Sequence, residues 1–212
     1  MALEAAIFDW DGPIADSFQA QHTWFQHICE IFGKVYPHKT IDDLRADYRE
    51  PFMLMYTQYG FDWESDRAKL HPHFVDYMAR QNIPPAKGIR KAIRDLNRTR
   101  KIGIASSNRT EIIRKRIVEY GIAQHISAVV GFHDGIKPKP DPESILMCLK
   151  ELGVAAEDAA YIGDLPSDIS AGKAAGCRTI AVTWGYGTEK RLSEEKPYRI
   201  CRKPEELMDA VL

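Results

Sequence analysis

The stretch "AAIFDWDGPIADS", residues 5–17, sets a short apolar run directly against three acids, Asp9, Asp11 and Asp16. The run at residues 5–8 is too short for a helix and closes in a Gly-Pro turn, so it reads as a strand buried on both faces, the kind that parallel sheets contain. If the extended conformation continues past Phe8, Asp9 and Asp11 project to one side and Trp10 to the other. Two carboxylates then share a small space at the carboxyl end of a strand. Like charges that close raise one another's pKa unless a cation or a proton intervenes, which points to a metal site, an acid/base device, or both. Asp16 has a plainer reading: it precedes a helical pattern, with Gln19 three residues on, as the N-cap of a capping box does.

Beyond this strand, Phe18, Trp24, Phe25, Ile28, Ile31 and Phe32 recur at helical spacing and Gly33 follows as a stop. The pattern stays helical and rich in aromatics to about residue 86, with breaks expected at Pro37, Pro51, Gly60 and Pro72. Then "NIPPAKG" forms a proline-rich joint and the rhythm changes. "KIGIAS", "AVVGF", "AAYIGD" and "RTIAVTW" are short β-rich runs, separated by helical segments at 87–98, 110–120, 142–152 and 167–175. Such alternation spells βαβ units and a parallel sheet covered by helices. The first strand has nothing else to pair with and belongs to that sheet. The expected organisation is therefore an α/β core of residues 1–14 and 87–212, interrupted by a helical insertion at 15–86.

The chain has 212 residues and a formal net charge of -1, which gives no global attraction to nucleic acid or to an anionic membrane. Cys29, Cys148, Cys177 and Cys201 are widely spaced and largely apolar in their surroundings, as free buried thiols are, which suits a reducing cytoplasm. The first residues lack a basic segment followed by an apolar one, and no apolar run approaches the ~20 residues that cross a bilayer. A soluble cytoplasmic protein is expected.

In open α/β sheets ligands bind at the carboxyl ends of the strands. The first strand ends in Asp9 and Asp11, and the second in Ser106, Ser107 and Asn108. The third is followed by Lys137 in "GIKPKPDP", and the fourth ends in Asp164 with Asp168 four residues on. Carboxylates, hydroxyls and an ammonium group thus converge from four separate strands. "DWDGPIADS", "IASSN", "KPKPD" and "GDLPSDISAGKAAG", in this order, resemble the four motifs of the haloacid dehalogenase superfamily, and in particular its phosphoglycolate phosphatase-like and β-phosphoglucomutase-like branch.

The resemblance implies a Rossmann-like parallel-sheet core with an inserted helical cap, and Mg2+-dependent phosphoryl transfer through an aspartyl phosphate. Carried onto this chain, it makes Asp9 the nucleophile, for which an ionised carboxylate needs no base. Asp11 becomes the acid that protonates the leaving oxygen and later the base that activates water. Mg2+ would be held by Asp9, Asp164, Asp168 and the backbone carbonyl of Asp11. Family alignment selects Lys137 over Lys139 as the second positive charge, and Asp141 then reads as the cap of the next helix. Ser106 would stabilise the transferring phosphoryl group, with Ser107 and Asn108 as further phosphate contacts. Pro13 stands where Thr or Val is commoner in the family.

The function so implied is hydrolysis of a small phosphorylated metabolite, with the insertion as a lid that excludes water and selects substrate. A phosphomutase of the β-phosphoglucomutase kind is the alternative within enzymes, and a non-catalytic phosphate-ligand sensor the alternative outside them. Asp11 and Asp164 argue against a dehalogenase, which works without Mg2+. His22, Arg45 and Arg49 are the insertion's candidates for gripping the distal part of a substrate, whereas His71 and His73 read as surface groups. The protein is expected to act as a monomer or homodimer.

Overall fold

The computed structural model describes residues 3–132 and 136–212. Strand β1 (Ala5–Phe8) is followed by helices α1 (Phe18–Ile31), α2 (Ile41–Asp47), α3 (Met53–Gln58), α4 (Trp63–Arg80) and α5 (Ile89–Leu96). Strand and helix then alternate: β2 (Lys101–Arg109), α6 (Thr110–Glu119), β3 (Ala128–Phe132), α7 (Glu143–Leu152), β4 (Ala159–Gly163) and α8 (Pro166–Ala175). The chain finishes with β5 (Arg178–Val182), α9 (Glu189–Glu194), β6 (Arg199–Cys201) and α10 (Leu207–Ala210).

The strands form one sheet in the order β3-β2-β1-β4-β5-β6, and every pairing is parallel. This is the doubly wound order in which the direction of winding reverses between β1 and β4. β1 sits between β2 and β4 and all four of its residues are fully buried, which accounts for its unbroken apolar run. Phe8 is level with Ile104 on one side and Ile162 on the other, so the residues that follow these three emerge at one edge. The edge strand β6 is an addition to the four later strands expected from the sequence. It has only three residues, too few to carry a periodic signal.

On one face, Ile145, Cys148, Leu149 and Leu152 of α7 pack with Ile7, Ala105, Val130 and Tyr161. Each fully buried side chain of this size contributes about 1.5–3 kcal/mol. All four cysteines are buried and free. Among the described residues no helix is long and apolar enough to cross a membrane.

By its internal contacts the chain divides into one unit of residues 1–16 and 84–212 and a second of Ser17–Ile83. The second unit is made of α1 to α4 around an aromatic cluster. Trp24 donates through Nε1 to Tyr56 Oη at 2.9 Å and meets Phe74 edge-on, while Phe25 lies between Tyr56 and Tyr59. Two local expectations fail here. Pro72 does not break the chain but lies inside α4, where the Trp24 contacts of Phe74 and Tyr77, one turn on, bind the helix to α1. The residue at the start of α1 is Ser17 rather than Asp16, whose carboxylate is exposed while its backbone N–H is taken by Pro84.

Gly103 of β2 lies directly beneath α7, and a Cβ there would come within 2.5 Å of Cys148 Sγ and 3.0 Å of Leu152 Cδ1. Gly103→Ala is therefore expected to cost about 1–3 kcal/mol in urea unfolding. Combining it with Cys148→Ala should recover part of that loss, and strict additivity of the two changes would refute the close packing of α7 on β2.

Candidate active site

The site begins where β1 ends. Asp9 extends the ladder by one bond, donating its N–H to Ile162 O at 2.9 Å, and its carboxylate is buried. The chain then turns: Ile14 and Ala15 both donate to Trp10 O, and Gly12 donates to Ala15 O. Gly12 has a φ of +95°, and a Cβ on it would overlap the Asp164 carboxylate, so the turn needs glycine on both counts. Pro13 is accommodated, its carbonyl accepting from Trp184 Nε1 at 3.2 Å. Trp10 is buried and stacks on Tyr120.

Asp11 does not join Asp9. It is half-buried and its Oδ2 accepts from Asn108 Nδ2 at 2.9 Å. Ser106, in β2 where its pairing with β3 slips register after Ala105, is buried and its Oγ accepts from Asn108 N, while Ser107 is exposed. The side-chain amide of Asn108, expected to contact phosphate, is thus engaged with Asp11 and, through Oδ1, with the N–H of Arg109.

At the end of β4, Asp164 is fully buried and Gly185 passes so close that a Cβ there would collide with its carboxylate. Oδ2 accepts from Tyr186 N at 2.5 Å, whereas Oδ1 has no hydrogen-bond partner. Asp168, in the first turn of α8, accepts through Oδ2 from the N–H groups of Asp164 and Leu165, both at 3.0 Å. Its Oδ1 accepts from Lys139 Nζ at 2.5 Å.

The lysine of the site is Lys139, not Lys137. Lys139 is buried and its Nζ lies 2.9 Å from Asp9 Oδ1 as well as against Asp168. Lys137 points to solvent, 72% exposed, and pairs loosely with Asp141 at 3.7 Å. Both lysines precede a proline, so local sequence does not separate them. Asp141 does serve α7, its Oδ1 accepting from Glu143 N.

Among the described residues, Asp9, Asp164 and Asp168 are the acids whose oxygens come within 4.8 Å of one another; the carboxylate of Asp11 is outside this cluster. Burial pushes the Asp9 carboxyl up to about 7, with Asp168 and Asp11 adding to the rise and Lys139 opposing it. Burial, then the charges of Asp168 and Asp9, holds Asp164 well above the usual carboxylate range. Burial works against charge on Lys139, but Asp168 and Asp9 outweigh it and hold the ammonium well above its ordinary value. Lys139 donates to Asp168 and Tyr161 and forms an ion pair with Asp9 Oδ1 at 2.9 Å, whereas Asp164 Oδ1 is buried with no donor at all. Buried carboxyls that are pushed toward the protonated form for want of enough positive charge and donors fit a hard, oxygen-seeking cation that would let them ionise. Asp168, with both oxygens taken, orders the site around it.

The insertion's candidate residues are engaged within their own unit. His22 is hydrogen-bonded to Tyr36 at 2.7 Å, Arg45 lies over the Phe18 ring, and Arg49 is exposed beside Asp47. His71 and His73 are exposed.

A parallel sheet of Rossmann order with acids and a lysine gathered at its point of reversal is the layout of an α/β protein whose ligand site lies at the carboxyl ends of the strands. The chain belongs to the family described as haloacid dehalogenase-like hydrolase, whose model matches residues 6–182. It is 26% identical over 211 residues to a protein of Caldanaerobacter subterraneus provisionally named pyrophosphatase PpaX, covering 93% of this chain and 89% of that one. It is 24% identical over 214 residues to the phosphoglycolate phosphatase of Escherichia coli K12, covering 100% and 79%. The fold matches that of the haloacid dehalogenase-like protein SP0104 from Streptococcus pneumoniae, with a TM-score of 0.86 at 20% identity over 99% of each chain.

A cation that binds the folded state alone, at a hundred times its Kd, stabilises by about 2.7 kcal/mol. For a chain of this size that is roughly 5–10 °C in Tm. Mg2+ is expected to raise the Tm of the wild type by this much. Asp164→Asn should lose the response while keeping about the wild-type stability in EDTA, because burial and the neighbouring acids already favour the neutral form of the Asp164 carboxyl there. In EDTA the wild type should also lose stability as pH rises toward about 7, since Asp9 is protonated in the folded state over a range where the unfolded chain is already ionised. An unchanged Mg2+ response in Asp164→Asn would contradict the assignment.

Proposed function

We propose that this hydrolase is a Mg2+-dependent phosphatase of small phosphorylated metabolites that works through an aspartyl phosphate on Asp9. The observation that carries the reading is the buried cluster of Asp9, Asp164 and Asp168 around one buried ammonium, Lys139, with Asp164 Oδ1 left without a hydrogen-bond donor. The phosphatase names of the relatives support it, as does the position of the cluster at the reversal of the sheet.

Asp9 would attack phosphorus, forming an Asp9–O–P bond as the ester P–O bond breaks. Asp11 gives its proton to the departing oxygen, oriented by the Asn108 amide. Ser106 Oγ, at the register slip of β2, and the third N–H of Lys139 would donate to the phosphoryl oxygens where charge spreads. Water then attacks the phosphorus of the acyl phosphate and loses a proton to Asp11, which frees inorganic phosphate, returns Asp9 to its carboxylate and leaves Asp11 protonated as at the start. Mg2+, held by Asp9 and Asp164, would supply the positive charge that lets an anionic nucleophile meet an anionic ester. Selection among substrates is assigned in this reading to the helical unit.

Hydrolysis of p-nitrophenyl phosphate tests the proposal, and a panel of phosphoglycolate, sugar phosphates, nucleoside monophosphates and pyrophosphate then ranks substrates. EDTA and Asp9→Asn should each abolish turnover. Lys139→Ala is expected to lower kcat by about 10²–10³, with Lys137→Ala within roughly twofold of wild type because an exposed charge in water contributes little. Turnover that survives chelation, or a larger effect at Lys137, would overturn the mechanism.

A further inference from the structure

Tyr161 lies in the middle of β4 and is fully buried, between neighbours that are plain apolar packing. A phenylalanine would fill nearly the same space without burying a hydroxyl, so the hydroxyl needs partners. It lies 2.9 Å from Ala105 O, 3.1 Å from Lys139 Nζ and 3.5 Å from Asp168 Oδ1. A phenol has one proton to give. The short contact with a carbonyl takes it, and an ammonium can only donate, so the Tyr161 oxygen accepts from Lys139.

The placement of this hydroxyl follows from the sheet. Ile7 is level with both Gly103 and Tyr161, so a side chain on β4 that reaches Ala105 on β2 passes beneath the end of β1, where Asp9 begins. Ala105 immediately precedes Ser106. One hydroxyl therefore touches the group that carries the positive charge and the backbone that presents the expected phosphoryl donor.

We propose that Tyr161 is a positioning residue for Lys139, its hydroxyl fixing the rotation of the ammonium together with Asp168 so that the remaining N–H is kept for the oxygens beside Asp9. The effect on rate rests on the phosphatase reading; the clamp itself does not. Lysine reaches the site on a flexible four-carbon stem, and its ammonium rotates freely unless acceptors hold it. Two acceptors at fixed positions remove that freedom before substrate arrives.

The test compares wild type with Tyr161→Phe, using protein labelled with 15N-lysine and p-nitrophenyl phosphate as substrate. In the wild type, the Lys139 ammonium should give a slowly exchanging 15N–H signal, identified by its loss in Lys139→Arg, with a cross-peak to the Tyr161 ring. In Tyr161→Phe, folded by circular dichroism, proton exchange from that ammonium should quicken about tenfold or more, and kcat should drop about tenfold with KM held within roughly twofold. A folded Tyr161→Phe with wild-type kcat and an unaltered Lys139 signal overturns the proposal. If that variant does not fold, the wild-type cross-peak supports the clamp and its absence refutes it. A wild type that hydrolyses no phosphate ester ends the phosphatase reading instead, while the Lys139 signal still decides the role of Tyr161.

Discussion

The structure depends on how three buried carboxylates are kept together. Asp9, Asp164 and Asp168 meet at the reversal of the sheet with one ammonium, Lys139, in direct contact with two of them. If all were ionised, two negative charges would stay uncompensated at the cluster, which a buried site does not tolerate without a further cation or proton. The protein does part of the work with fixed dipoles. Asp168 takes two backbone N–H groups at the start of α8, and Asp164 takes the N–H of Tyr186. What these donors leave over is the deficit that a divalent ion matches in sign and size.

This arrangement constrains chain segments far apart in sequence. The turn after β1 and the segment after β5 both close on Asp164, and at Gly12 and Gly185 there is no room for a Cβ. Asp164 O also accepts from Gly187 N, so its backbone as well as its side chain is enclosed. Such wrapping excludes water and raises every electrostatic interaction in the site. It also makes the edge of the sheet a poor place for compromise: a methyl group in either loop would displace the carboxylate on which the cluster is built.

The legibility of all this in the sequence follows the physics of each signal. Asp9 and Asp164 were readable because each ends an apolar strand and so must lie at the sheet's carboxyl edge. Their side chains are placed by strand register, which pattern alone encodes. Lys139 was not readable, since it sits in a loop beside a second Lys-Pro pair and only the three-dimensional path of that loop buries one stem and exposes the other. Tyr161 was hidden for the opposite reason: within "AAYIGD" it looks like ordinary strand packing, and its polar contacts come from β2 and the Lys139 loop. Pro72 and Asp16 misled in a third way. Local propensity placed a break and a cap, and packing of α4 on α1, and the backbone bond from Asp16 to Pro84, decided otherwise.

Burial also divides the site by task. Asp164, Asp168, Lys139 and Tyr161 are enclosed and hydrogen-bonded, so their positions are set by the fold itself. Asp11, Ser107 and Asn108 stand at the rim, half-buried or exposed. A group that balances charge gains from enclosure, because a low dielectric strengthens its field and rigidity removes the cost of reorganisation. A group that must hand a proton to a departing oxygen and take another from water cannot be sealed away from either. On the proposed mechanism Asn108 would meet both demands, tethering Asp11 through one hydrogen bond from the end of β2 that orients the carboxyl without burying it. The two carboxylates of "DWD" thus differ in setting, one following the strand into the core while the other, two residues on, turns with Gly12 toward the rim, and the roles proposed for them follow that difference.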